Sequence, residues 1–285
     1  MSSTRRVLLS LGLGVLYALG LFVLASRLGY AVGPSEHSLI EFGWHYGGLV
    51  AAAAFPIWSA LRYRLLTPLV ALIAVTGYVV GMELLAPGPT FHDIAELEGL
   101  AEPTGIIVVE NGLYVVRYAS YASVWLVGFA GLAVLEGTAR TTWTRLPSPP
   151  EQPLRLVGGR QHTRLIAVAS GLVYAVVMTW FAVRLNVVLA GGRTLLLYAF
   201  GGVGMWALGS LPLYFLGRYR LFAPLALATL FTFADVAAEF TASVESPHAL
   251  YFGGWFLPLG LIFLAGGLEA VIRRVRRHAT QSADS

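Results

Sequence analysis

The chain has 285 residues, of which 57% are hydrophobic and only 12% are charged, and its mean hydropathy is +0.72. A soluble domain carries about 25% charged residues, so the composition excludes a soluble globular protein and predicts a chain solvated by lipid. Cysteine is absent and all 19 basic residues are arginine, which excludes disulfides, thiolate metal sites and lysine Schiff-base chemistry. The net charge of +4 does not indicate nucleic-acid binding, because the arginines flank apolar segments. A lysine-free composition rich in Arg, Ala and Gly is typical of a GC-rich prokaryotic genome.

Eight apolar segments are predicted in chain order, each long enough to cross about 30 Å of hydrocarbon as a helix. They are 7–32, 39–61, 65–87, 112–135, 164–190, 195–217, 221–240 and 249–272. Arg5 and Arg6 before the first segment resemble a twin-arginine export signal. The apolar run is too long for such a signal, so we expect a retained helix. In the loop at 88–111, Thr90 and Asp93 resemble a capping box and predict a short amphipathic helix on the membrane surface.

An internal repeat divides the chain. The stretch 62–69 (RYRLLTPL) recurs as 218–225 (RYRLFAPL), and at the same offset Pro56 falls on Pro212 and Glu83 on Glu239. Further matches pair Gly14, Tyr17 and Arg27 with Gly171, Tyr174 and Arg184, and Glu136 with Glu269. Repeats of this kind decide architecture before local patterns do. We therefore predict two tandem units, 1–136 and 164–285, joined by a Pro- and Arg-rich cytoplasmic linker at 137–163.

The distribution of charge predicts the orientation. With both termini in the cytoplasm, the cytoplasmic stretches hold 15 of the 19 arginines but only four of the 15 acidic residues. This is the asymmetry that the positive-inside rule describes. Four helices per unit make the two units parallel to each other. The predicted fold is an all-α, multi-pass bundle of eight transmembrane helices in the cell membrane, as two tandem parallel four-helix repeats.

Charged residues inside the segments are the first candidates for function, because a charge in hydrocarbon costs about 3 kcal/mol or more. The repeat favours one structural ion pair per unit, Arg27–Glu83 and Arg184–Glu239. Alternatively, these charges belong to an ion or substrate path between the units. That path would pass Glu83, Asp235, Glu239, Arg117, Arg27 and Arg184. Asp235 is not explained by the repeat, since its counterpart is Val79.

The repeated Arg-Tyr-Arg turns are candidates for binding anionic lipid headgroups on the cytoplasmic side. They comprise Arg62, Tyr63 and Arg64, and Arg218, Tyr219 and Arg220. Alternatively, the arginines and tyrosines only anchor each hairpin at the interface. Glu136 and Glu269 are expected to lie near these arginines.

A possible Zn or Cu site is indicated by His37, Glu41 and His45, which are spaced four residues apart and share one helix face. The second unit has no such residues at the equivalent positions. Imidazole and carboxylate suit Zn²⁺ or Cu²⁺, and His92, Asp93 or His248 could complete the site. Alternatively, these are ordinary interfacial histidines.

Three hypotheses for function follow. The favoured one is a transporter or channel-like permease with a polar path between the two units. The alternatives are a membrane-embedded enzyme or metal-binding protein that uses the outer His and Glu groups, and a non-catalytic scaffold subunit of a membrane complex. Catalytic activity is left undecided by the sequence. The expected partner is the lipid bilayer, and no nucleic acid is expected.

Overall fold

The computed structural model describes residues 3–30, 32, 39–85, 90–93, 106–109, 113–142, 160–187, 193–241 and 247–283. Within these ranges the protein is helical, apart from one two-stranded hairpin. The helices are α1 (Ser3–Arg27), α2 (Leu39–Tyr63), α3 (Thr67–Leu84), α4 (Tyr114–Ser120), α5 (Ala122–Thr142), α6 (Arg160–Arg184), α7 (Thr194–Tyr219), α8 (Ala223–Thr241), α9 (Pro247–Gly253) and α10 (Phe256–Ala283). The strands are β1 (Thr90–Asp93) and β2 (Ile106–Val109), which pair antiparallel with Thr90 opposite Val109.

Six of the described helices are long and apolar enough to cross a membrane, which supports a multi-pass membrane protein. They are α1, α3, α7 and the stretches Ala122–Arg140 of α5, Gln161–Arg184 of α6 and Phe256–Arg276 of α10. Many of their large apolar side chains face outward, as a helix in lipid requires; Leu8, Leu16 and Leu264 are examples. The bilayer is therefore the natural solvent of this surface.

Close approaches at glycine hold neighbouring helices together. A Cβ built on Gly14 of α1 would lie 2.7 Å from the Val50 carbonyl oxygen of α2, and one on Gly171 of α6 would lie 2.7 Å from the Trp206 carbonyl oxygen of α7. Small residues let backbones approach in this way in membrane bundles. The pairs α1–α2 and α6–α7 are accordingly packed tightly.

The two Arg-Tyr-Arg turns have the same backbone conformation. Arg64 and Arg220 both take left-handed φ values, 57° and 59°, and end α2 and α7. The carboxylate of Glu136 accepts from the Thr67 N–H at 2.7 Å, and that of Glu269 accepts from the Ala223 N–H at 2.8 Å. A carboxylate at this position stabilises a helix N-terminus. Glu136 and Glu269 also pair with Arg140 and Arg273, four residues along their own helices, so their arginine partners here are not those of the turns.

The predicted fourth and eighth segments differ from the structure, because each is divided into a short and a long helix. The first division is at Tyr121, between α4 and α5, and the second is at Gly254–Trp255, between α9 and α10. Both short helices begin against a buried carboxylate. Glu83 accepts from the Val115 N–H at 2.9 Å and Glu239 from the His248 N–H at 2.7 Å. These tertiary bonds fix the start of each short helix separately from the helix that follows.

The structure differs from the predicted surface helix, and it describes both ends of the predicted linker. Thr90 and Asp93 lie in β1 and do not cap a helix, because the β-branched run Ile106–Val109 pairs with them; the rest of the predicted surface helix lies outside the described residues. The linker predicted at 137–163 is partly helical, since α5 continues to Thr142 and α6 begins at Arg160. The predicted basic tail continues α10 as helix to Ala283.

Candidate functional site

A buried Asp–His pair lies in the second half of the chain. His248 at the start of α9 is fully buried, and Asp235 of α8 is 5% exposed. Asp235 Oδ2 and His248 Nδ1 are 2.7 Å apart. On the other side of the ring, His248 Nε2 lies 3.1 Å from the Met178 carbonyl oxygen of α6. Both ring nitrogens are therefore held, and the imidazole bridges α6 and α8.

The hydrogen bonds fix the number of protons in this pair. A carbonyl oxygen only accepts, so His248 Nε2 carries a hydrogen and donates it to Met178. The contact between Nδ1 and Oδ2 then holds one proton, either on the imidazole beside a carboxylate or on the carboxyl beside a neutral ring. The other carboxyl oxygen, Asp235 Oδ1, has no hydrogen-bond partner among the described residues. The pair thus has one shared proton and one buried oxygen without a hydrogen-bond partner among the described residues.

Aromatic rings surround the imidazole and exclude water. The ring centroids of Phe181, Phe252 and Tyr251 lie 4.5, 5.8 and 6.3 Å from that of His248. Glu239 places the imidazole in this cage, because its carboxylate accepts from the His248 backbone N–H. An ionisable pair in so apolar a setting interacts more strongly than it would in water.

Hydroxyl groups continue the site from the Asp–His pair. Thr232 Oγ1 donates to the Ala228 carbonyl at 2.9 Å, so its contact with the Tyr174 hydroxyl at 2.9 Å is one in which Tyr174 donates. Tyr174 then accepts from Tyr251, whose oxygen is also 2.9 Å away. Tyr251 also lies beside His248, with the two ring centroids 6.3 Å apart. We call Tyr174, Thr232 and Tyr251 the hydroxyl cluster.

A cavity of about 340 Å³ opens beside the hydroxyl cluster. Its walls come from α5, α6, α7 and α8, and Tyr174 and Thr232 lie in its lining. Ser170 and Thr229 add two more hydroxyls, while the rest of the lining is apolar. No charged side chain lines this cavity in the part of the chain that the structure describes.

The first half repeats the hydroxyl cluster but not the Asp–His pair. The Tyr17 hydroxyl lies 2.8 Å from Thr76 Oγ1 and 3.1 Å from the Tyr118 hydroxyl, as Tyr174 does with Thr232 and Tyr251. Val79 and Val115 take the positions of Asp235 and His248, and both are buried. The two polar residues of the pair are thus both present in one half and both replaced by valine in the other.

The ion pair expected between Arg27 and Glu83 is absent from the structure. Glu83 is buried and its two oxygens accept from the Tyr30 hydroxyl and the Val115 N–H. Tyr30 in turn accepts from the Leu113 N–H at 3.0 Å. Arg27 lies exposed at the end of α1. Neutral donors satisfy the Glu83 carboxylate, and an arginine is not required.

Three of the predicted path residues meet where the two halves join. Arg117 Nη1 donates to the Glu239 carbonyl oxygen and Arg184 Nη1 to the Ser120 carbonyl oxygen, both at 3.4 Å. The Tyr121 hydroxyl lies within electrostatic reach of Arg117, Arg184 and Glu239. Pairing of Arg184 with the Glu239 carboxylate stays a prediction. Glu83 belongs to the separate network described above.

The predicted metal site is only partly within the described residues. His45 is buried and lines a separate cavity of about 240 Å³ with Tyr46, Ser120 and Arg184. The side chains of His37, Glu41 and His92 lie outside the described residues. Among the side chains that the structure does describe, no three His, Asp or Glu groups lie together as metal ligands would. Zinc or copper at this position stays a prediction.

The predicted headgroup residues stack at the two Arg-Tyr-Arg turns. The Arg62 guanidinium lies 5.8 Å from the Trp58 ring and 5.3 Å from the Tyr63 ring, and that of Arg218 lies 5.7 Å from the Tyr219 ring. Such cation–π contacts hold arginine side chains against the interface. Lipid binding at these turns, including at Arg64 and Arg220, stays a prediction.

Comparison of the chain with protein-family models, with curated proteins and with solved structures finds no match. Sequence inspection singled out Asp235, but it assigned His248 to the loop before the last helix. The signal that could have located His248 is the match between Glu136 and Glu269. The same offset along the sequence places His248 at the position of Val115.

Proposed function

We propose that this membrane protein has eight spanning helices, arranged as two tandem parallel units at 1–136 and 164–285. Helices α2 and α8, with 25 and 19 residues, have the length to span. The support is the recurrence of the same hydrogen bonds in both halves of the chain. The carboxylate contacts of Glu83 and Glu239 match, as do those of Glu136 and Glu269. The hydroxyl contacts of Tyr17 and Tyr174 match in the same way.

This topology predicts that both termini lie in the cytoplasm. A reporter fused after Ser285, or inserted at Ser148, is expected to report the cytoplasm, and one inserted at Glu98 the outer side. The measurement is the activity of side-specific reporters such as alkaline phosphatase and a fluorescent protein. Identical results at Ser285 and Glu98 would contradict the arrangement of eight helices.

We further propose that the second unit is a membrane-embedded enzyme that transfers protons to and from a substrate dissolved in the bilayer. The observation that carries the proposal is the buried Asp235–His248 pair, present in one unit and replaced by two valines in the other. Duplicated residues are explained by a shared scaffold, whereas this pair is not. A buried ionisable pair in an apolar site is also where proton-transfer groups are found.

The chemistry follows from the single shared proton. Asp235 Oδ1 has no hydrogen-bond partner among the described residues, so it is the oxygen that would exchange a proton with a substrate atom. With the shared proton on His248 Nδ1, Oδ1 can take a proton from one substrate carbon and then give a proton to another, while the imidazolium keeps its hydrogen bond to Oδ2. Exchange with the buffer while Asp235 holds the proton would place solvent hydrogen on the product, and the pair ends in the protonation state in which it began. Such an isomerisation requires neither an oxidant nor a reductant.

A permease is the second candidate, and the cluster of Arg117, Arg184 and Glu239 around Tyr121 favours it. The packing between the units weighs against a polar path at their interface. A Cβ built on Gly128 of α5 would lie 2.7 Å from the Phe233 ring of α8, and one on Gly131 would lie 2.6 Å from Thr229 Oγ1. Aromatic rings fill the same interface, with Trp125 and Phe233 5.7 Å apart. Beside these contacts the interface holds only the cavity of about 340 Å³, and no charged side chain lines that cavity in the part of the chain that the structure describes, so it does not suit a conduit for ions.

The enzyme proposal is tested by deuterium incorporation. The protein is reconstituted into nanodiscs with lipid extract from the cells that express it and incubated in deuterated buffer, and the lipids are analysed by mass spectrometry. Wild type is expected to place deuterium on carbon in a lipid-soluble compound. The double variant Asp235→Val with His248→Val is expected to place none, and the matched control Val79→Ala in the first unit is expected to retain the activity.

Two outcomes would overturn the enzyme proposal. One is the same deuterium content with wild type and with the double variant. The other is proton flux across vesicles that depends on Asp235 without any labelled lipid, which would assign the pair to a permease.

A further inference from the structure

We infer that the cavity between α5, α6, α7 and α8 binds a long-chain, lipid-soluble molecule whose polar end is a neutral oxygen group, an alcohol or a carbonyl. This inference rests on the proposed function, because it names the class of substrate that the Asp235–His248 pair would act on. Three observations support it: the residues that line the cavity, the side on which it opens, and its position beside the hydroxyl cluster.

The residues that line the cavity favour an uncharged ligand over a charged one. A volume of about 340 Å³ is within the range of small-molecule sites. Among the described side chains that line it, the polar groups are the hydroxyls of Ser170, Tyr174, Thr229 and Thr232. Hydroxyls can bond an alcohol or a carbonyl. They cannot neutralise a carboxylate or phosphate, whose burial without a counter-ion is strongly unfavourable.

The cavity opens sideways toward the lipid. Val173 of α6 lines it and is 59% exposed on the outer surface of the helices. A second groove of about 440 Å³, between α2, α5 and α6, shares Val127, Ala130 and Val173 with the cavity. The two spaces are therefore neighbours, with these three residues in the wall of each. A hydrocarbon chain lying in the groove would have its end next to the cavity, on the lipid-facing side of the helices.

The hydroxyl cluster gives such a ligand its orientation. Tyr174 and Thr232 lie in the cavity lining, and Thr232 is one helical turn before Asp235 on α8. Tyr251 joins them from α9, beside His248. Asp235 and His248 do not themselves line the cavity, so this cluster is what joins the cavity to the pair. A ligand alcohol that donates to the cluster has its polar end at that junction.

Both units are needed to build this cavity, which explains why the site depends on the tandem arrangement. The α5 wall, with Gly128 and Ala130, comes from the first unit, whereas the other walls come from the second. The equivalent face of α1, with Leu13 and Leu16, is exposed on the outside of the bundle. The first unit thus has the hydroxyl cluster of Tyr17 but no equivalent enclosed space among the described helices.

The test is photolabelling with hexadecanol that carries a diazirine, applied to the full chain in nanodiscs. Labelled peptides are expected from α5, α6 and α8, and unlabelled hexadecanol is expected to compete. Hexadecanoic acid with the same diazirine is expected to label these peptides about tenfold less. Ser170→Phe places a large ring in the cavity. It is expected to lower labelling about tenfold, because the ring and the ligand cannot occupy the same space.

Controls separate this inference from the proposed function. Leu13→Phe, the matched change on α1, is expected to leave labelling unchanged, and Ala130→Phe from the opposite wall is expected to act like Ser170→Phe. The double valine variant at 235 and 248 is expected to label as wild type, because binding does not require the proton. The inference would be overturned if the acid and the alcohol labelled the protein equally, or if neither Ser170→Phe nor Ala130→Phe lowered labelling. Either result would count against it even if deuterium incorporation succeeded. Normal labelling without deuterium incorporation would overturn only the enzyme.

Discussion

Replacing both Asp235 and His248 by valine is expected to leave the protein about as stable as wild type, whereas either single replacement should be strongly destabilising. Removing one partner of a buried pair costs about 3–5 kcal/mol, because the other is left buried without compensation. Replacing both by apolar residues is often neutral or stabilising. Here the first half shows that two valines fit at the equivalent positions, since Val79 and Val115 are buried there.

The measurement is the unfolding free energy in detergent for wild type, the two single variants and the double variant. Their combination is a double-mutant cycle, which isolates the coupling between the two residues. The matched experiment in the first half runs in the opposite direction. Val79→Asp alone should be destabilising, and adding Val115→His should recover part of the loss. A double valine variant that loses as much as the two single variants together would show that Asp235 and His248 are not coupled.

Much of the fold could be predicted from sequence because its determinants are local. A long apolar run indicates a membrane helix wherever it occurs. The short turns were also recognisable, since the Arg-Tyr-Arg stretch is followed by Pro68 or Pro224 in the first turn of the next helix. The hairpin between α2 and α3 was predicted on these grounds, and the structure has it.

The divided helices could not be predicted in the same way. The apolar pattern continues from α4 into α5, so periodicity alone favours one helix. The start of α4 is set by Glu83 and that of α9 by Glu239, each distant in sequence from the N–H groups it binds. The strand β2 is a different case, because its run of isoleucine and valine was a local signal that favoured a strand.

The candidate site was half visible in the sequence. Asp235 stood out because its counterpart is Val79, and a polar residue without a repeat partner demands an explanation. The position of His248 beside it depends on α9, and α9 depends on Glu239. The imidazole reaches Asp235 only through this chain of tertiary contacts. The two residues are thirteen positions apart with a predicted loop between them, so their contact could not be predicted from the sequence.

Glu83→Ala is expected to destabilise the protein severely, while Arg27→Leu should change the free energy of unfolding by no more than about 0.5 kcal/mol, as an exposed residue does. The carboxylate accepts from the Tyr30 hydroxyl and the Val115 N–H. Without it, both donors lose their partner in a buried setting, at about 1–3 kcal/mol each. Loss of the Val115 bond should also release the start of α4.

The contrast between these two variants decides what stabilises the end of α3 against the start of α4. If Arg27 and Glu83 formed an ion pair, both changes would be destabilising, and the double change to leucine would recover part of the loss. With neutral donors on Glu83, the double change should be as unstable as Glu83→Ala alone. Tyr30→Phe is the positive control, since it removes one of the two donors and the acceptor of the Leu113 N–H. The measurement is the free energy of unfolding of each variant in detergent, monitored by circular dichroism. A strongly destabilised Arg27→Leu variant would show that Arg27 and Glu83 do form an ion pair.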